Sequence, residues 1–177
     1  MRTGTSLDFD VKSGKMSMRE AWNKSYDVNV TGTHIMTHNF VPLLLKATDP
    51  RLLFITSGTS SLEETMNPNA PFGLNDAPQA GWPKEGAVWF PSYRSSKTGM
   101  NMMVREWDRW LRNDNVKVFA ISPGYLATGL GAGVEANKKR GAGDPQLGGE
   151  FIKDVVEGQR DADVGKAIRR DNKVQPW

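Results

Sequence analysis

Pro91-Ser92-Tyr93-Arg94-Ser95-Ser96-Lys97-Thr98-Gly99-Met100 opens a long helical pattern. Tyr93 and Lys97 stand four residues apart, so both side chains lie on one face, about one turn apart. An ammonium beside a phenol favours the phenolate. A tyrosine with an ordinary pKa of about 10 would then be lowered enough to trade protons with an alcohol or ketone. The same spacing also fits a helix with one buried tyrosine and one solvated lysine, and such pairs arise often by accident. The flanking segments decide between the two.

Downstream, the pattern runs as a helix over about 92–113. Met100, Met103, Val104, Trp107 and Leu111 form its apolar stripe, and Trp110 suggests a second contact face. Asn113-Asp114-Asn115 stops it. Val116 to Ser122 is a strand candidate that ends at Pro123-Gly124. Upstream, Asp49-Pro50 breaks the chain, and Arg51 to Ser57 is an apolar run ending in hydroxyls. A run apolar on both faces suits a buried parallel strand. Strand, long helix and strand make a βαβ unit with a right-handed crossover. Ligands of open parallel sheets bind beyond the carboxyl ends of the strands, where Thr56 and Ser57 fall. A serine there is as readily a turn residue as a catalytic one.

Residues 58–90, between strand and helix, exceed an ordinary loop of about 4–6 residues, and such long connections usually carry function. Phe72, Trp82, Trp89 and Phe90 could line an apolar substrate pocket or pack as a surface flap. Residues 123–149 are Gly-rich and read as a mobile substrate or cofactor lid. Gly131-Ala132-Gly133-Val134-Glu135-Ala136 matches G-x-G-x-x-A, but it does not directly follow a strand and is set aside. A short helix over 145–157 and a terminal strand or hairpin around Asp171-Asn172 complete the chain.

Residues 1–16 are polar and read as a loop or frayed start. Ser17-Met18-Arg19-Glu20 fits a capping box. A short helix, a break near Asp27 to Asn29 and a long helix to about Lys46 follow, with Pro42 kinking or ending the last. Asn29 sits among apolar neighbours, so its amide needs partners or costs about 1–3 kcal/mol. His34 and His38 share a face at i, i+4, but no third metal ligand is in sight, and a helix surface or a helix–helix contact is the better reading.

Composition narrows the function classes. The chain of 177 residues can bury one core, with 38% hydrophobic residues. A net charge of +3 without runs of like charge argues against nucleic acid or membrane surfaces as partners. There is no cysteine, which excludes disulfides and thiol chemistry. No apolar run approaches the roughly 18 residues of a membrane span. Residues 1–10 lack a signal peptide's apolar core. A soluble cytoplasmic protein of one domain is the expectation.

Four pieces now stand in one order: Asn29 in an apolar helix, Ser57 at a strand end, Tyr93-x-x-x-Lys97 opening a helix, and Pro123-Gly124-Tyr125-Leu126-Ala127-Thr128 after the next strand. This resembles the catalytic half of a short-chain dehydrogenase/reductase over nearly the whole chain. The resemblance implies a partial doubly wound, Rossmann-like sheet, with only the last strands of the order 3-2-1-4-5-6 present. The family's opening strand, Gly-rich turn and pyrophosphate-binding helix have no counterpart here. A strand left without its neighbour would expose an unpaired edge.

The resemblance also implies a catalytic tetrad of Asn29, Ser57, Tyr93 and Lys97. Thr56, Ser60 and Ser61 compete with Ser57 for the serine's part. NAD or NADP is the implied cofactor, NADPH slightly favoured, held by Tyr93, Lys97, Pro123, Gly124 and Thr128. The 36 positions from Ser57 to Tyr93 exceed the family's usual gap, so 58–90 reads as an insertion. A small alcohol or carbonyl is the implied substrate. The implied partner is a second copy, docked through helices 28–46 and 92–113. The alternative is a truncated, non-catalytic relative acting only through self-association.

Overall fold

The computed structural model describes residues 5–70, 74–84 and 90–177. A four-stranded sheet runs β1 (Arg51–Ile55), β2 (Lys117–Ser122), β3 (Ala167–Arg169) and β4 (Val174–Gln175), in that spatial order. The first three strands are parallel, with Ile55 opposite Ile121 and Ile121 opposite Ile168; β4 returns antiparallel to β3. The long helix α4 (Pro91–Leu111) crosses from β1 to β2. The sequence expectation of a mostly parallel α/β sheet holds.

β2 is the central strand and explains the two-sided core. Its alternate residues serve opposite faces, as the period of a strand requires. Val118 and Ala120 pack with Met100, Val104, Trp107 and Leu111 of α4. Phe119 and Ile121 pack with Phe151 and Val155 of α6 (Pro145–Val156) and with Ile168. β1 is less buried than its apolar run suggested. Only Phe54 is fully covered, and Ile55 is 40% exposed, because β1 lies at the sheet edge among the described residues.

The N-terminal region departs most from expectation. Residues read as a loop include helix α1 (Thr5–Lys12). Leu7 and Asp8 are its buried residues, and it packs on α2 (Met18–Tyr26) and α4. Its short Leu7-Asp8-Phe9 sequence carries no helical apolar period, so tertiary contact rather than pattern fixes it. The capping box forms as read: Glu20 N–H donates to Ser17 Oγ at 3.2 Å, and Ser17 N–H donates back to the Glu20 carboxylate at 2.9 Å.

The break foreseen near Asp27 to Asn29 is instead a π-helical turn, Asp27–Gly32, that joins α2 to α3 (Thr33–Leu44) without interruption. The wider turn absorbs the mismatch in period that looked like a stop. Pro42 lies within the last turn of α3 and does not end it. Gly99 permits a close crossing here: a Cβ would sit 3.4 Å from the Tyr26 ring and 3.5 Å from Val30.

The Gly-rich segment 123–149 contains regular structure. It holds α5 (Val134–Lys139), and Ala127 and Gly143 exchange backbone bonds with Gly143 and Tyr125 at 2.8 and 3.0 Å. The buried Asn137 side chain donates to the carbonyls of Thr128 and Leu130 at 3.0 and 2.8 Å. No described helix is long and apolar enough to cross a membrane.

Candidate active site

The carboxyl ends of β1 and β2 lie side by side, because their register pairs Ile55 with Ile121. Ser57 follows the first end and Pro123 the second. Helix α4 begins over this rim and carries Tyr93 in its first turn and Lys97 one turn on.

Tyr93 is 9% exposed, and Ser57 is the side chain whose polarity acts on its phenol. Burial pushes the phenol's pKa up; Ser57 opposes this. The expected lowering by Lys97 is therefore not seen. The lysine turns instead to the β1 end, where Nζ donates to the Ile55 carbonyl at 2.7 Å. Burial pushes its amine down to about 8, so near neutral pH it is a weaker cation than an exposed lysine.

The three competing hydroxyls are engaged elsewhere. Thr56 Oγ1 donates to Asn101 Oδ1 at 2.5 Å and lies 3.1 Å from Ser60 Oγ. Ser60 Oγ donates to the Ser57 carbonyl at 2.6 Å, and Ser61 Oγ to the Trp177 carbonyl at 3.4 Å. Ser57 Oγ lies 3.0 Å from Thr59 Oγ1 and accepts from Thr59 N–H at 3.2 Å, and it is the hydroxyl of this group that acts on the phenol. Its own backbone is pinned from two sides, by Ser60 Oγ and by Gln175 Nε2 at 3.2 Å. The fully buried Gln175 also accepts from Ser122 Oγ at 2.6 Å, tying the β2 end to the β1 end.

Asn29 lies in the π-helical turn and is buried. Its amide donates to Ser96 Oγ at 2.9 Å, and that hydroxyl donates to the Tyr93 carbonyl at 3.0 Å. The partners its burial demanded come from α4, one helix away. Asn29, Ser57, Tyr93 and Lys97 are thus gathered around the first two turns of α4, although the sequence spreads them over 68 positions.

Pro123, Gly124 and Thr128 border the same rim. Gly124 has φ +94° and is exposed, and a Cβ there would sit 3.4 Å from Arg170 Nε. Thr128 Oγ1 accepts from Leu130 N–H at 3.3 Å. A hydroxyl pair, an amine and an exposed glycine backbone at the end of a parallel sheet suit a ribose and a carboxamide. The donor set therefore fits the nicotinamide end of a dinucleotide.

Of the aromatic residues considered for a pocket, Phe90 stands edge-on to Tyr93 with centroids 6.5 Å apart, and Trp82 is largely exposed. Phe72 and Trp89 lie outside the described residues. His34 packs on Trp107 at 5.4 Å and near Trp110, a helix–helix contact. Among the described residues no group of three His, Asp or Glu could hold a metal.

Sequence reasoning missed Asp8, Ser96 and Gln175. Asp8 and Gln175 sit in no recognisable motif, Ser96 is an unspecified position of the Tyr93-x-x-x-Lys97 motif, and each has a bond partner more than 50 positions away.

Comparison with known proteins agrees with this geometry. The family model described as short chain dehydrogenase matches residues 79–139. The chain is 54% identical to short-chain dehydrogenase/reductase eupG of Phoma sp, over 98% of its own length and 64% of the relative's. It is 48% identical to short-chain dehydrogenase/reductase tropE of Talaromyces stipitatus, over 94% and 62%. It thus spans less than two thirds of the length of these curated relatives. In fold it is similar to the NADPH-bound carbonyl reductase from chicken fatty liver. That match has a TM-score of 0.62 at 18% identity and covers 93% of this chain and 60% of the other. The buried phenol–serine pair at the rim of a parallel sheet, and relatives matched along almost all of its residues, lead to one conclusion: this chain belongs to the short-chain dehydrogenase/reductase family.

Proposed function

We propose that this chain carries the catalytic centre of an NAD(P)-dependent oxidoreductase acting on a small alcohol or carbonyl. The observation that carries the reading is the gathering of the buried Tyr93 phenol, Ser57 and the Lys97 amine at the carboxyl end of β1, where Lys97 Nζ donates to the Ile55 carbonyl. When bound, NAD(P) supplies or accepts the hydride, and the protein positions the groups and moves the proton.

In the reduction direction the substrate oxygen sits between Tyr93 Oη and Ser57 Oγ. Ser57 donates to that oxygen and stabilises charge as it develops. Tyr93 Oη then gives its proton to the oxygen, and the phenolate is reprotonated from solvent. A phenol whose pKa is held up by burial is a competent donor. Lys97 would hold the ribose hydroxyls. Asn29 keeps the second turn of α4 in place through Ser96. Pro123, Gly124 and Thr128 would hold the carboxamide end.

The same reading makes a second copy the natural partner. Ile35, Met36, Phe40 and Leu43 of α3 are each more than half exposed, as is Met102 of α4. Those two helices belong to the segments 28–46 and 92–113. Apolar area of this kind favours burial in a helix–helix dimer.

The test is a titration of the purified chain with NADH and NADPH, followed by nicotinamide fluorescence. Saturable binding that weakens in Lys97→Ala supports the reading. No binding of either nucleotide at millimolar concentration removes it for this polypeptide and leaves self-association as its remaining role.

A further inference from the structure

Helix α4 has no side-chain cap of its own. Its N-cap residue is Phe90, and the helix opens with Pro91. The first N–H groups of a helix have no acceptor within it and, when buried, must find one elsewhere. Here the acceptor comes from α1. Asp8 Oδ1 accepts from Ser92 N–H at 3.3 Å, and Oδ2 accepts from Tyr93 N–H at 3.2 Å. The Ser92 hydroxyl oxygen lies 3.1 Å from Ser25 Oγ on α2. Asp8, Ser92 and Ser25 are 3%, 0% and 1% exposed.

We infer that Asp8 is a positioning residue for Tyr93: its carboxylate clamps the two amides that set where the phenol enters the site, and Ser92 and Ser25 lock the clamp to α2. This rests on the reading of Tyr93 as the acid/base.

The physical reasons are two. A first turn without a bound acceptor frays, and fraying would move Tyr93 Oη relative to Ser57 by more than a hydrogen bond tolerates. A carboxylate at a helix N-terminus is also electrostatically favoured, because the peptide dipoles leave partial positive charge there. Burial pushes the Asp8 carboxyl's pKa up, while the donors of Ser92 and Tyr93 pull the other way. The donors retain the charged form that burial alone would expel.

Amide hydrogen exchange, read residue by residue, tests this without requiring activity. In the parent chain near pH 7 the Ser92 and Tyr93 amides exchange about a hundredfold more slowly than unpartnered first-turn amides. Asp8→Ala abolishes that protection while amides in the middle of α4 keep theirs. Asp8→Asn, which retains one acceptor oxygen, restores part of it.

A second readout separates positioning from mere stability. The chain has three tyrosines, so ultraviolet titration resolves few phenols, and Tyr93→Phe identifies the relevant one. In Asp8→Asn that high-titrating component moves down towards an ordinary tyrosine. Fast exchange of Ser92 and Tyr93 in the parent overturns the proposal. So does a folded Asp8→Asn with both the exchange pattern and the Tyr93 titration of the parent. If Tyr93→Phe proves fully active, the acid/base reading fails while the measured clamp on its amide stands.

Discussion

Lys97 Nζ donates a 2.7 Å hydrogen bond to the carbonyl of Ile55, the last residue of β1. Thr56 N–H donates to Ile121 O and Lys117 N–H to Pro50 O, so even-numbered residues of β1 face β2. By alternation, the Ile55 carbonyl points away from β2, to the open edge of the sheet. The lysine satisfies an edge carbonyl that has no strand partner among the described residues.

That placement gives a first prediction. With its amine lowered to about 8, Lys97 is the lysine most reactive towards an acylating reagent at pH 8. Its neutral fraction there exceeds that of an ordinary lysine by roughly a hundredfold. Mass spectrometry of briefly labelled protein should find Lys97 modified first. The linkage sign follows from a depressed amine. The cost of burying the ammonium is fully present below pH 8 and is relieved as pH rises from about 8 towards 10.5, so stability gains over that window. Labelling of Lys97 no faster than of Lys84 or Lys138 would contradict this.

Tyr93→Phe should lower kcat by about a hundredfold or more, since general acid–base catalysis contributes roughly 10²–10⁴. The ring stays buried against Phe90, so the fold should persist. Unfolding followed by circular dichroism alongside turnover separates the two effects. A kcat within threefold of the parent would remove Tyr93 from the proton-transfer step.

Ser57→Ala and Ser60→Ala should differ in kind. The first removes the hydroxyl beside the phenol and should cost about 10²-fold in kcat, together with the cap that Ser57 Oγ gives Thr59 N–H. The second leaves the Ser57 carbonyl with Gln175 Nε2 and the backbone N–H of residue 60, and takes the acceptor from Asn101 Nδ2, which donates to Ser60 Oγ at 2.9 Å. It should cost about 1–3 kcal/mol of stability. Urea titration and kcat on the same preparations check the contrast.

Gln175→Leu should destabilise the chain by about 2 kcal/mol, because it strands the buried Ser122 hydroxyl and removes one of three bonds to the Ser57 carbonyl. A shift in Tm of under one degree would show that the strand ends hold without it.

Acid should act first where β1 and β2 begin. Asp161 accepts from Arg51 Nη2 at 3.0 Å and Lys117 Nζ at 2.7 Å, with Asp49 sharing both cations, and its carboxyl is lowered to about 2. A depressed carboxyl contributes stability that is present above about pH 4 and is lost as pH falls towards 2. The group is more than a third exposed, so the contribution is at most about 1 kcal/mol. Asp161→Asn should flatten the acid limb of a stability–pH curve by that amount.

The amino-acid sequence alone determined the βαβ core. Hydrophobic runs at 51–57 and 116–122 flank a helical stripe, and burial of that stripe admits few other arrangements. The order of four motifs along the chain, read as a family resemblance, also brought Asn29, Ser57, Tyr93 and Lys97 forward. Tertiary structure alone decided which hydroxyl lies by the phenol, because Thr56, Ser57, Ser60 and Ser61 are equivalent until Asn101 engages Thr56 and Ser60 and the Trp177 carbonyl engages Ser61. It also decided that Lys97 turns to an edge carbonyl, that α1 is a helix, and that Asp8 caps α4 from 84 positions away. Periodicity and propensity report on neighbours along the chain. A buried polar atom chooses its partner among groups that only folding brings within 3 Å.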